Sequence, residues 1–124
     1  MSNKSKIQIT SIYCNGASEL GNDEVYLICQ ADGGVPIRYP AQLADAHSMT
    51  KGDTWKLTDT GPELVLNFEQ EVLVTLWDRD VSYDPTVSTY LISNDYTPGG
   101  IPGSIRIQNP NGADYTIYAE PYAA

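Results

Sequence analysis

The segment from residue 71 to residue 85, EVLVTLWDRDVSYDP, opens with a regular alternation of polar and apolar residues. Successive side chains of a β-strand point to opposite faces of its sheet. Val72, Val74 and Leu76 therefore share one face of a strand over Glu71–Trp77. The segment predicts a β-strand that runs directly into a loop rich in aspartate, and no other stretch of the chain is as clear.

The rest of the chain divides into short runs of β type, separated by turn residues such as Gly, Pro, Asn and Asp. The runs are Lys6–Cys14, Glu24–Ala31, Ile37–Tyr39, Thr54–Leu57, Leu64–Phe68, Thr86–Ser93, Ser104–Gln108 and Asp114–Glu120. No segment predicts more helix than a single turn near Ala41–His47, and the loop between residues 40 and 53 is the least regular part. Seven to nine strands at this spacing predict an all-β domain, either a sandwich or a barrel.

With 124 residues the chain fits one domain over residues 1–124, in which we expect residues 1–5 to be disordered. A domain of this size buries roughly two thirds of the surface of its unfolded chain, which suffices for a core without disulfides. Cys14 and Cys29 fall in apolar runs, and we expect them to be buried free thiols. A disulfide between them is the alternative, and a zinc site is disfavoured because the chain has one histidine.

Sixteen acidic and seven basic residues give this acidic protein a formal net charge of −9. The acidity argues against nucleic acid as a partner, because binding to phosphates depends on Lys and Arg. It also repels an anionic membrane unless a cation screens the contact, although it can serve solubility alone. The chain shows no signal peptide and no transmembrane segment. We therefore expect a soluble protein of the cytoplasm, with export by a route that needs no cleavable signal left open.

Three aspartates, Asp78, Asp80 and Asp84, follow the strand at spacings of two and four residues. Two carboxylates about 5 Å apart repel each other by roughly 3 kcal/mol at an effective dielectric constant of about 20. A bound divalent cation would reverse this repulsion, and calcium takes about six to eight oxygen ligands with a preference for carboxylates. The spacing thus predicts a calcium site, and the alternative is a solvated turn, in which aspartate is also common.

The strand, the pair Trp77-Asp78 and the aspartates Asp80 and Asp84 together resemble the third calcium loop of the C-two domains. These domains are the calcium- and phospholipid-binding modules of protein kinase C and synaptotagmin. The resemblance implies an antiparallel β-sandwich of about eight strands with Greek-key connections, which holds calcium between loops at one end. The same pattern also resembles small bacterial stand-alone sandwich proteins.

A second segment, from Gly21 to Leu27, resembles the end of the first calcium loop of that family and the strand that follows it. The resemblance implies that Asp23 is a calcium ligand from this loop, with Glu19 or Asn15 as its companion. The full set of ligands that we expect is therefore Asp78, Asp80, Asp84, Asp23 and Glu19.

We expect a non-enzymatic module whose partners are a calcium ion and, through it, lipid head groups, a glycan or another protein. The chain lacks a G-x-S-x-G elbow, a phosphate loop, an H-E-x-x-H motif and a dinucleotide fingerprint, and we interpret His47 as an ordinary loop histidine. One alternative is a structural protein that forms homo-oligomers through its sheet edges. Another is a calcium-dependent sugar-binding module of a toxin or adhesion system, with Tyr83 and Tyr90 or Tyr96 lining its surface.

Overall fold

The computed structural model of the protein describes residues 5–17, 23–42, 46–79, 86–93, 103–108 and 112–121. Ten β-strands lie within these residues, and they account for most of them. The strands are β1 (Ser5–Gly16), β2 (Asp23–Ala31), β3 (Ile37–Tyr39), β4 (His47–Met49), β5 (Thr54–Lys56), β6 (Leu64–Phe68), β7 (Glu71–Asp78), β8 (Thr86–Ser93), β9 (Ser104–Gln108) and β10 (Asp114–Pro121).

Nine of these ten strands were predicted, with ends that differ by at most two residues. The unpredicted strand is β4, which lies in the region expected to be an irregular loop. Leu57, the predicted end of β5, instead begins a single turn of 3-10 helix over Leu57–Asp59. Residues 1–4 of the segment expected to be disordered lie outside the described residues, and Ser5 begins β1. No helix in the described part of the chain is long and apolar enough to cross a bilayer.

The strands form two sheets in which the described pairs are antiparallel. In the first sheet β1 lies beside β10, which also pairs with β9, and the other edge of β1 pairs with β6 and then β5. In the second sheet β2 lies beside β7, which also pairs with β8, and the other edge of β2 pairs with β3 and β4. This arrangement confirms the predicted all-β sandwich.

The core lies between the two sheets and follows the alternation of the sequence. Val72, Val74 and Leu76 of β7 are fully buried, and so are Val25 and Leu27 of the neighbouring strand β2. Burial of one such aliphatic side chain contributes about 1.5–3 kcal/mol to stability. The predicted inner face of β7 is therefore confirmed, and it holds the second sheet against the first.

Both cysteines are free and buried, as predicted. Burial in the apolar core raises the pKa of Cys29 to about 12. The thiolate is the reactive form of cysteine, so Cys29 is inert at neutral pH and acts as a small apolar core residue. Cys14 lies at the polar end of the core, which is described below.

One side of the sandwich is closed by a stack of aromatic rings around Trp55 of β5. The imidazole of His47, on β4 of the opposite sheet, lies parallel to the Trp55 ring with centroids 4.6 Å apart. The ring of Tyr39 lies 5.9 Å away, and the Trp55 indole N–H donates a hydrogen bond of 2.8 Å to Thr60 Oγ1. His47 is thus a packed residue of a strand, not the loop histidine that the sequence predicts, because its partner Trp55 comes from the other sheet.

Stability is expected to fall as the pH drops from 7 to 5, because burial lowers the pKa of His47 below 6.5, while Asp53 opposes this shift. The unfolded chain then binds a proton at a higher pH than the folded chain does. The contribution of the neutral, buried His47 to the free energy of unfolding is therefore complete above about pH 6.5. It is lost as the pH falls through the lowered pKa of the folded protein. Urea denaturation at pH 7, 6 and 5 measures it. His47→Gln, which removes the chain's one histidine, should flatten the profile, and an unchanged slope would contradict this explanation.

Candidate metal centre

Asp78 is the last residue of β7 and points into the sandwich. It lies opposite Val25 of β2, on the same face of β7 as the buried Leu76, and only 3% of its surface is exposed. Its Oδ1 accepts a hydrogen bond of 2.9 Å from the backbone N–H of Glu24. The sequence predicts this residue at the start of a loop, whereas the strand continues one residue further and its alternation directs the carboxylate inward.

Asp23 is the first residue of β2 and is fully buried. It lies two residues before Val25 and therefore points to the same inner face. Its Oδ2 accepts a hydrogen bond of 2.6 Å from the hydroxyl of Tyr115, which reaches across from β10 of the first sheet. The backbone of Asp23 lies opposite Met49 of β4, so the strand is paired up to its first residue.

The register of β2 and β7 brings these two carboxylates to the same end of the sandwich. Val25 is the direct partner of Asp78, and Asp23 is the next inward residue of β2 beyond that pair. The structure thus brings together one predicted ligand from each of the two predicted loops. Asp80, Asp84 and Glu19 lie outside the described residues, so their part in the site stays a prediction.

The opposite sheet completes a polar end to the core. Cys14 of β1 is the cross-strand partner of Tyr115 of β10, and both side chains are fully buried beside Asp23. Burial, together with the Asp23 carboxylate, raises the pKa of the Tyr115 phenol far above its ordinary range, so the phenol keeps its proton. Burial likewise raises the pKa of the Cys14 thiol. Both groups are therefore neutral at physiological pH.

A divalent cation fits the chemistry of this polar end of the core. Asp23 and Asp78 offer carboxylate oxygens, which are the ligands that calcium prefers. Two of the hydrogen bonds that they accept come from the Tyr115 phenol and the Glu24 backbone amide, and neither of these donors carries a positive charge. Ionised carboxylates are costly to bury unless a positive charge compensates them. Across the described residues there is no set of three or more His, Cys, Asp or Glu placed for a metal, so further ligands would come from the adjoining segments 18–22 and 80–85.

Arg79, the basic residue between the predicted ligands, points to the outer surface of the sheet. Its guanidinium donates two hydrogen bonds to Glu24 Oε2, at 3.1 Å from Nε and 2.6 Å from Nη2, and both side chains are partly exposed. Alternation along β7 places Arg79 on the face opposite that of Asp78. This ion pair lies outside the sandwich, and the same alternation could have predicted it from the sequence.

The tryptophan of the Trp77-Asp78 pair also faces outward. Its ring stacks on Tyr26 of β2 with a centroid distance of 6.2 Å and an interplanar angle of 6°. Arg38 of β3 lies next to the same tyrosine, with its guanidinium 4.1 Å from the centre of the Tyr26 ring. The row made by Arg38, Tyr26 and Trp77 braces three neighbouring strands and supports the end of β7, from which Asp78 projects inward.

Comparison with known proteins relates this chain to a fold but to no family. No family model matches the chain, and no curated protein matches it. It is similar to human GIVD cytosolic phospholipase A2 in complex with methyl gamma-linolenyl fluorophosphonate inhibitor and terbium chloride, with 14% identity and a TM-score of 0.52. A second structure of human GIVD cytosolic phospholipase A2 gives 14% identity and a TM-score of 0.48.

The two matches cover 97% of this chain but only 17% and 16% of the phospholipase chains. The chain therefore spans about a sixth of the length of the protein that it resembles. At this level of identity the likeness concerns the fold of the matched region and carries no residue roles with it.

Proposed function

We propose that this protein is a non-enzymatic calcium-binding β-sandwich module. The observation that carries this proposal is the burial of Asp23 and Asp78 on neighbouring strands at one end of the sandwich. Asp80, Asp84 and Glu19, from the segments that adjoin these two strand ends, would complete the oxygen shell. Part of human GIVD cytosolic phospholipase A2 shares the fold of this chain, and that fold is compatible with a module of this class.

The ion would link the start of β2 to the end of β7. A net charge of −9 opposes contact with anionic surfaces, and a bound divalent cation reduces that charge locally. Calcium could then bridge the module to the anionic or hydroxyl groups of a partner. Lipid head groups are the first partner to test, with a glycan or a protein as the alternatives.

Isothermal titration calorimetry tests calcium binding directly. We expect the wild-type protein to saturate below about 1 mM calcium, within the range of natural calcium modules. Asp78→Asn should weaken binding by at least about tenfold, because it removes a negatively charged ligand while keeping the oxygen that accepts from Glu24. Asp59→Asn is the matched control, since Asp59 is an exposed residue of the 3-10 turn.

The control separates a specific site from general attraction of calcium to an acidic protein. Equal affinities for the wild type and both variants would show that calcium binds the acidic surface without a site. A wild type that releases or absorbs no heat of binding at any calcium concentration up to several millimolar would contradict the proposal outright.

The two alternatives from the sequence stay predictions. Tyr83 and Tyr96, which would line a sugar-binding surface, lie outside the described residues. Self-assembly through sheet edges is opposed by the charge of the chain, because copies that each carry −9 repel one another at low ionic strength.

A further inference from the structure

A buried hydrogen bond joins the candidate metal centre to the opposite sheet. The hydroxyl of Tyr115 donates to Oδ2 of Asp23 at 2.6 Å, and neither side chain has any exposed surface. The two residues are 92 positions apart in the chain. This bond therefore exists only when β10 of the first sheet is packed against β2 of the second.

We propose that Tyr115 is a positioning residue for calcium: it fixes the orientation of the Asp23 carboxylate and so couples calcium affinity to the packing of the two sheets. The inference rests on the proposed function, because it concerns the same site. Tyr115 itself contributes no ligand in this arrangement and acts through Asp23.

The backbone on both sides of this bond is firmly held. Tyr115 lies in the middle of its sheet, between Cys14 of β1 and Ile107 of β9. Asp23 is paired with Met49. The bond from Tyr115 restricts the terminal torsion of the Asp23 side chain, which in an aspartate has a broad energy minimum. Holding Oδ2 in place fixes the direction of Oδ1 and places the carboxylate for a cation before the cation arrives.

The hydroxyl suits this role because it remains a donor. A phenol hydroxyl has one hydrogen to donate, and the bond of 2.6 Å to Asp23 Oδ2 uses it. Residues that orient metal-binding carboxylates and imidazoles by hydrogen bonds commonly change metal affinity by about 10–100-fold when they are removed. We expect an effect of that size for the loss of this one hydroxyl.

The test compares calcium affinity in Tyr115→Phe with that in two control variants. Tyr118→Phe makes the same chemical change three residues along β10, on the outer face, where 41% of the side chain is exposed. Ile117→Val removes one methyl group from the buried face of β10, which lowers stability while the Tyr115 hydroxyl and the Asp23 carboxylate are both retained. Calorimetry should give about 10–100-fold weaker calcium binding for Tyr115→Phe and less than about twofold change for both controls.

A second measurement uses the wild-type chain alone, so it does not depend on the folding of any variant. Coupling between two sites is reciprocal. Calcium should therefore slow amide hydrogen exchange in β10 around Tyr115 as well as in β2 around Asp23.

The outcomes separate this inference from the proposed function. A wild type that binds no calcium overturns both. A wild type that binds calcium, with Tyr115→Phe binding equally tightly and exchange in β10 unchanged, overturns the positioning role and leaves the calcium site intact. An equal loss of affinity in Ile117→Val would assign the effect to general stability and would also overturn it.

Discussion

Calcium at about one hundred times its dissociation constant is expected to raise the free energy of unfolding by about 2.7 kcal/mol relative to the protein in chelator. The reason is that Asp23 and Asp78 come together only when β2 and β7 are paired, so the unfolded chain offers no comparable site. For a domain of 124 residues this gain corresponds to a rise of roughly 10 °C in the melting temperature. Thermal unfolding followed by circular dichroism, with calcium and then with chelator, measures it.

Asp78→Asn is a control whose stability relative to the wild type should differ between chelator and calcium. The variant removes one of two buried carboxyl groups but keeps an oxygen that can accept from the Glu24 amide. In chelator its stability should equal or exceed that of the wild type, because charge repulsion is relieved. In calcium it should gain little. Equal melting temperatures for the wild type with and without calcium would contradict the proposed role of the ion.

Trp55→Ala is expected to destabilise the fold by about 3–5 kcal/mol, the usual cost of removing a large buried aromatic side chain. Trp55 is 1% exposed, and its ring packs on His47 of the opposite sheet. The substitution also deprives Thr60 of the indole N–H. Because natural domains have a total stability of only about 5–15 kcal/mol, this loss brings the chain close to unfolding at 37 °C. Chemical denaturation monitored by circular dichroism measures the difference.

Trp77→Ala is the matched control for Trp55. It deletes the same side chain from the outer face of β7, where the ring is only partly buried and stacks on Tyr26. The expected loss is clearly smaller, because less apolar surface returns to water. A loss from Trp77→Ala that equals or exceeds that from Trp55→Ala would show that the edge stack around Trp55 does not hold the two sheets together.

Most of the fold could be predicted, because a strand with one buried face shows an alternation of polar and apolar residues within its own short sequence. The alternation over Glu71–Asp78 alone specifies which side chains of β7 enter the core. The strand β4 could not be predicted in this way. Its three residues, His47–Met49, contain no alternation to recognise, and the strand forms because it pairs with Asp23, Glu24 and Val25, which are distant in the sequence.

The candidate site was predictable in part. Extending the alternation of β7 by one residue places Asp78 on the same face as Leu76, so its burial follows from a pattern already visible in the sequence. The position of Asp23 at the same end of the sandwich as Asp78 follows from the sequence only through the resemblance to C-two domains. The bond from Tyr115 could not be anticipated, because it depends on how two sheets face each other and no local pattern encodes that contact.

If buried Asp23 and Asp78 form part of a calcium site at one end of the sandwich, a high-resolution crystal structure grown in calcium will show the ion between them. We expect a strong density peak with oxygen atoms of both carboxylates at about 2.4 Å, the distance typical of calcium. A structure from the same crystals in which both carboxylates keep their bonds to Tyr115 and Glu24, with water at hydrogen-bond distance and no such peak, would contradict the proposal.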